Sequence, residues 1–409
     1  MLLGKLCGKN NILYLNDRHE EKDTEREDKR KLYEKRILPL LEEGDAAVFA
    51  ERTDPFLFDY YRSLGLASVK KKNIFYAKDY LKYPSLTKAV LANQTIIDKI
   101  KKINIDTLIP YIESYDTEKL SKKIGSNLMR SSSFVDWIND KSNFRRVAEE
   151  EIGLKIIPGC QSNPKKAEED FKNIKRKGYK KIILKKERSA SGFGIFAVET
   201  IKDLRKCLKD NLEDNFVMEV FIENVKFSPN AQYFVTKENI FSLGASDQIL
   251  NDNFIHSGNI YPSLIHKKMD LYGEMEEISN KICRYLQSQN CFGLIGIDFV
   301  VTNKNEIFPV ETNVRINGST FPNLIAKKMF EESENIFWKS FMFKFPPQLF
   351  ENFFAVSKDK FINQKNKLGI LPIGVDAIDS LGEGYFMAIG ESHKQVNNFY
   401  ENFIRGKMQ

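Results

Sequence analysis

The sequence predicts a mixed α/β (α+β) fold, a small open α/β domain followed by larger units in which strands pair with their neighbours. Three observations carry this. Short apolar runs alternate with amphipathic segments over residues 1–125, the pattern of strands crossing over through helices. Two apolar runs, GLIGIDFVV (293–301) and EIFPVETNV (306–314), flank a short polar turn and read as a strand pair. The closing stretch 368–409 reads strand, strand, helix.

In chain order, residues 17–45 are densely charged with apolar residues gathered at the C-terminal end, which predicts an exposed helix packing by its last turns. AAVFAER (46–52) predicts a buried strand, and DPFLFDYYRSLGL an amphipathic helix ending at Gly65. Strands follow at Asn73–Tyr76 and Thr107–Glu113. Beyond residue 126, Phe134–Gly153 reads as helix and LKIIPG (154–159) as strand. A helix over Lys165–Lys177 leads to strands at 180–186, 195–200 and 215–223. Residues 231–265 read as strand, polar loop, strand, followed by helices near 269–289 and from Pro322 to Met329.

A chain of 409 residues with 42% hydrophobic residues can fill several packed units. A net charge of +7 is modest, and no basic block is interleaved with aromatics, which excludes a nucleic-acid face. The clusters Lys70–Lys72 and Lys175–Lys181 read as solvated faces. Five cysteines without CxxC spacing fit reduced thiols rather than a disulfide framework or a zinc site. The first residues have too short an apolar run for a signal peptide, and no run reaches the length of a membrane span. The expectation is a soluble, cytoplasmic protein.

The strongest chemistry lies in 293–317. A turn centred between Lys304 and Asn305 places residues equidistant from it opposite one another, which sets Asp298 against Glu311. Strand alternation then puts Glu311, Asn313 and Arg315 on one face, with Asp298 beside them. Two bare carboxylates about 5 Å apart repel by roughly 3 kcal/mol at an effective dielectric near 20. A cation between them reverses the sign, and magnesium, or manganese in its place, suits hard oxygen ligands completed by phosphates. The plainer alternative is an acidic strand surface facing solvent, and a bulge would break the register.

Ser189, Ser191, Gly192 and Gly194 belong to a loop, SASGFG, between two expected strands, where backbone N–H groups and hydroxyls can approach phosphate oxygens. Lys185 and Lys186 precede it and face opposite ways, so one of the two can point into a cleft. Neither a Walker loop nor a strand-linked GxGxxG is present. His256, alone in DQILNDNFIHSGNIYP (247–262), reads as incidental within a pocket-wall loop, and Trp137 as packing.

Lys141 in NDKSNFRRVAEEEIGL, Lys185 with SASGFG, Glu219 in VMEVFIE, and GIDFVV…FPVETNVRINGST resemble the ATP-grasp superfamily in order and spacing over roughly residues 106–330. The resemblance implies an N-terminal pre-ATP-grasp domain (1–125), a lid with a central helical region (126–225), a core carrying the metal site (226–345) and a small C-terminal subdomain (346–409). It implies that Lys141 and Lys185 contact ATP phosphates, that Glu219, Val220 and Phe221 form the adenine-binding hinge, and that the 189–194 loop closes over the triphosphate. Asp298, Glu311 and Asn313 would hold magnesium. The acid that many members use for the ribose is replaced by Lys226, leaving Glu223 as a substitute. ERTDPFLFDYYRSL, SPNAQYFV and NVRINGSTFP are loosely similar to the pheganomycin-type peptide ligases.

Family chemistry implies that a small-molecule or peptide carboxylate is phosphorylated by ATP to an acyl phosphate, which an amine converts to an amide. Such transfer rests on positioning and charge neutralisation. Arg315 is placed to stabilise the transferring group, with a role as counter-ion of Glu311 compatible with it. Asn317, Gly318 and Ser319 would orient the carboxylate. A homodimer is the family-level expectation. Two readings compete: a kinase acting on a hydroxyl, and a nucleotide-binding regulator without turnover.

Overall fold

The computed structural model describes residues 4, 8, 11–17, 34–77, 79–189, 192, 194–251, 253–330 and 336–405. Four short parallel strands, β1 (Ile12–Leu15), β2 (Ala46–Phe49), β3 (Ile74–Tyr76) and β4 (Thr107–Pro110), form a first sheet in the order β3-β2-β1-β4. Parallel strands are covered on both faces, which is why ILYL and AAVF carry no alternation and are buried throughout. The helix Pro55–Ser63 begins with Pro55 after Asp54, whose carboxylate accepts from the N–H groups of Phe56 and Leu57.

The charged stretch of 17–45 departs from its expectation where it is described. Residues 18–33 lie outside the described residues, and Lys35–Leu40 is a buried 3-10 turn rather than an exposed helix. Lys328 fixes it: its Nζ donates to the carbonyls of Pro39, Leu40 and Leu41 at 3.2–3.3 Å and pairs with Glu42 at 2.7 Å. At the start of this turn the buried Glu34 accepts from the Ala50 N–H. Burial pushes its carboxyl up to about 8, partly offset by the Lys35 ammonium. A raised acid pKa favours the protonated folded state, so this contribution is complete below the ordinary value and fades as pH climbs towards 8. Thermal melts should therefore show Glu34→Gln losing less stability than the wild type between about pH 5 and 8. Parallel pH slopes would refute this.

A second, antiparallel sheet contains β5 (Gly159–Ser162), β6 (Ile182–Lys186), β7 (Ile195–Val198) and β8 (Phe216–Val220) in the order β5-β8-β6-β7. LKIIPG is not a strand. The ladder starts at Gly159, immediately after Pro158, which has no N–H to donate to a ladder.

The third sheet holds β9 (Val225–Phe227), β10 (Pro229–Val235), β11 (Ile240–Leu250), β12 (His256–Tyr261), β13 (Gly293–Thr302), β14 (Ile307–Asn313), β15 (Phe337–Lys344), β16 (Gly369–Gly374) and β17 (Glu383–Gly390). Its main path runs β14-β13-β10-β11-β12-β15-β17-β16, with β9 on β13. The polar segment expected as a loop is mostly the hairpin of β11 and β12. Several of its polar side chains, Gln248, His256 and Asn259 among them, line a cavity, so the stretch mimics a loop in the sequence. The closing strands join the same sheet through β15, and Tyr60 and Tyr61 of the first unit donate to the carbonyls of Ile362 and Pro372 at 2.9 Å.

Strand alternation gives the third sheet two different faces. Ile295, Ile297 and Phe299 of β13 pack with Met275, Ile282 and Leu286 of the helix Met269–Ser288. Asp298 and Val300 face the other way, into a cavity that also reaches the second sheet.

Candidate active site

The cavity occupies about 430 Å³. Towards the second sheet it is apolar, with Ile157, Ile183, Val220, Phe221, Val300 and Val310 in its wall. Elsewhere it is charged, and Lys141, Lys185, Arg315, Asp298, Glu311 and Asn313 all border it.

Asp298 pairs with Glu311 across the β13–β14 ladder, as the spacing requires. The turn is not the symmetric one assumed. Near it Val301 pairs with Ile307 and Phe299 with Pro309, one residue out of the assumed register. A bulge at Val310 inserts the missing residue, and beyond it Asp298 meets Glu311 and Gly296 meets Asn313. The bulge also turns the consecutive residues Val310 and Glu311 to the same cavity, which strict alternation would forbid.

Each carboxylate is partnered. Asp298 accepts from the amides of Asn230 and Asn313, the latter at 3.0 Å. Glu311 pairs with the Lys141 ammonium at 3.1 Å. Burial and the facing Glu311 charge push Asp298 up to about 8. Burial acts on Glu311 in the same direction, but the Lys141 ammonium, a hydrogen bond from Asp298 and the Arg315 charge together outweigh it and hold this carboxyl at about 2. A buried carboxylate pair held apart in this way is a site that a divalent cation would relieve. Two carboxylates and an amide that can turn its oxygen inward are a hard donor set, which fits magnesium completed by phosphate and water. Among the described residues no cluster of three or more His, Cys, Asp or Glu offers a richer site.

Lys185, not Lys186, enters the cavity. It is 8% exposed, and its Nζ meets Glu219 at 2.5 Å, while Arg145 binds the other oxygen of that carboxylate at 2.9 Å. Glu219 is thus a buried counter-ion to two cations, while the hinge positions lining the cavity are Val220 and Phe221. Lys141, just after the N-cap Asp140, reaches the Ser189 carbonyl at 3.0 Å and hydroxyl at 3.4 Å, which ties the glycine-rich loop to the carboxylates. Gly192 has a φ of +84°, and a Cβ there would collide with the Phe254 carbonyl at the tip of the β11–β12 hairpin. Gly194 packs on Lys186 away from the cavity, and Ser191 lies outside the described residues. Glu223 is exposed and is not among the residues that line the cavity. Lys226 is exposed too, and donates to Asn305 at 2.9 Å.

Arg315 stacks 5.7 Å from the Tyr111 ring centroid and donates to the Tyr111 hydroxyl at 3.3 Å. Asn317 and Ser319 belong to a buried polar network that sequence reading did not find. The Asn317 oxygen accepts from Gln232 at 3.2 Å and from the Ser319 and Thr320 hydroxyls at 3.0 Å. Ser319 in turn donates to Asn230 at 2.5 Å, and Asn230 reaches Asp298. The available signal was the alternation in SPNAQYFV, which puts Asn230 and Gln232 on one face of β10 opposite Asp298 and Gly296. Gly296 leaves room for this network: a Cβ there would collide with the amide nitrogens of Asn317 and Gln232. Gly296→Ala should cost about 1–3 kcal/mol in chemical unfolding by overpacking. An unchanged midpoint would show that the network can shift. Arg36, Ser340 and Tyr385, from the first unit and the closing strands, also line the cavity and carry no local sequence signal.

Residues 138–319 match the ATP-grasp domain family. The chain carries an ATP-grasp domain. It is 25% identical over 235 residues, 54% of each protein, to the butirosin acyl-carrier protein–L-glutamate ligase of Niallia circulans. It is 24% identical over 247 residues to the formate-dependent phosphoribosylglycinamide formyltransferase of Prochlorococcus marinus, across 58% of this chain and 60% of that one. The chain thus spans little more than half the length of these curated relatives. The whole ATP-grasp architecture matches N5-carboxyaminoimidazole synthetase from Staphylococcus aureus with a TM-score of 0.59 at 15% identity, covering 98% of this chain and 97% of that one. Biotin carboxylase from Campylobacter jejuni gives 0.58 at 16% identity, with 94% and 88% covered. These likenesses establish the fold.

Proposed function

We propose that this protein is an ATP- and magnesium-dependent ligase that joins a small-molecule or peptide carboxylate to an amine through an acyl phosphate, releasing ADP and phosphate. The observation that carries this is the facing pair Asp298–Glu311 in the same cavity as Lys141, Lys185 and Arg315, with an apolar wall beside them. The Niallia circulans relative, named as a ligase of L-glutamate, supports the reaction class.

In this reading Asp298, Glu311 and Asn313 hold magnesium, which when bound supplies charge neutralisation to phosphate oxygens. Lys141 and Lys185 bind phosphates, and Ser189, Ser191, Gly192 and Gly194 form the loop that covers them. Val220 and Phe221 take the adenine against the apolar wall, with Glu219 holding Lys185 in place. Arg315 offsets the charge that builds on the transferring group. Asn317 and Ser319, held by Gln232 and Asn230, shape the carboxylate subsite. A cytoplasmic setting agrees with the free thiols of Cys160, Cys207, Cys283 and Cys291, and no described helix is long and apolar enough to cross a membrane.

The test is incubation with Mg-ATP and pools of amino acids and short peptides, following ADP, phosphate and product mass. Amide with ADP and free phosphate is expected. A phosphorylated product without free phosphate would make the protein a kinase. ATP binding with no turnover would make it a regulator.

A further inference from the structure

His256 is the first residue of β12, and its imidazole lines the cavity. The surrounding hydrogen bonds assign its tautomer. Asn259 is 1% exposed, its backbone N–H donates to Ser340 Oγ at 3.0 Å, and its Nδ2 donates to Ser246 Oγ at 3.1 Å. With the Asn259 amide oriented in that way, its Oδ1 faces His256 Nε2 at 2.7 Å, and the tautomer assigned from this network carries the proton on Nε2. Nδ1 is therefore the basic nitrogen, and it makes no hydrogen bond among the described residues. The ring lies against Gly318, where a Cβ would stand 3.1 Å from its Cε1. Gly318 sits between Asn317 and Ser319, in the segment proposed above to hold the reacting carboxylate.

We infer that His256 is the general base of the second half-reaction, taking a proton through Nδ1 from the amine that attacks the acyl phosphate. The inference rests on the ligase reading and adds a residue to it. As the new N–C bond forms, Nδ1 accepts an N–H proton of the attacking neutral amine. The C–O bond to the phosphoryl group breaks, its electron pair leaves with phosphate, and the imidazolium returns the proton to that phosphate. Hydrogen phosphate and the amide are the products, and the imidazole is restored. Burial, reinforced by the Arg36 guanidinium, holds the imidazole below its ordinary value, which keeps it neutral and able to accept. The other charged groups on the cavity wall are Lys141, Lys185, Arg315, Asp298 and Glu311.

Hydroxylamine separates this role from a structural one. It is largely unprotonated near neutral pH and captures acyl phosphates without needing a base. Wild type and His256→Gln are incubated with Mg-ATP and pooled amino acids and short peptides, with and without hydroxylamine, and amide and hydroxamate are measured by mass. Amide formation by His256→Gln should fall by at least about 100-fold. Hydroxamate formation and ADP affinity should stay within about twofold of wild type, since no acid–base step of His256 enters them. Added imidazole should restore part of the amide formation in His256→Ala. Equal losses of amide and hydroxamate, or unchanged amide formation, would overturn the inference while leaving the ligase reading intact. No ADP release by the wild type with either nucleophile would overturn both.

Discussion

Glu311→Gln should lose at least about 100- to 1,000-fold in kcat while the protein stays folded. The substitution preserves side-chain volume and removes the carboxylate charge that faces Asp298 across the β13–β14 ladder. Two consequences follow in opposite directions. Lys141 loses its anionic partner at 3.1 Å but keeps the Ser189 carbonyl at 3.0 Å, so the glycine-rich loop stays attached. Asp298 loses the neighbouring charge that, after burial, does most to raise its pKa, and moves back towards the ordinary carboxylate range. The depressed Glu311 pKa marks a net favourable pairing with Lys141, so a thermal melt should show a moderate loss of stability with the fold retained. The donor set that would neutralise phosphate is nonetheless broken. ADP release and magnesium titration read the effect, and near-normal turnover would sink the metal assignment.

Glu219→Gln should instead destabilise the fold, by about 3–5 kcal/mol in chemical unfolding. Glu219 sits between Lys185 at 2.5 Å and Arg145 at 2.9 Å, and the side chains of all three are at most 10% exposed. A neutral amide leaves two buried cations without their shared anion. Arg145 keeps the carbonyls of Ile157 and Gly159 at 2.7 and 3.2 Å, so the cost falls mainly on Lys185. A loss below about 1 kcal/mol would mean that water reaches the pair and screens it.

The contrast between these two acids shows where sequence reading works. Asp298 and Glu311 were found because a hairpin makes distance in space a function of distance in sequence. That inference survived an error, since the compensating bulge at Val310 restored the register the asymmetric turn had shifted. Glu219 was placed on the right strand, yet its part as counter-ion to Arg145 was invisible, because 74 residues separate the two. β1 was missed because four apolar residues amid polar ones look like an interrupted run until a parallel sheet covers both faces. The β11–β12 hairpin was missed for the converse reason. Its polar residues, His256 and Asn259 among them, face a cavity rather than solvent.

The sequence by itself determined the strand pair, its facing carboxylates and the place of the glycine-rich loop, all of which depend on local periodicity and short-range register. Only the tertiary structure decided which lysine enters the cavity, which residues bind Asp298, and what surrounds His256. Those facts depend on contacts such as Asn230 to Asp298 and Arg36 to the Gly318 carbonyl, which lie 68 and 282 residues apart. Burial creates them by forcing each polar group to find a partner wherever the fold supplies one.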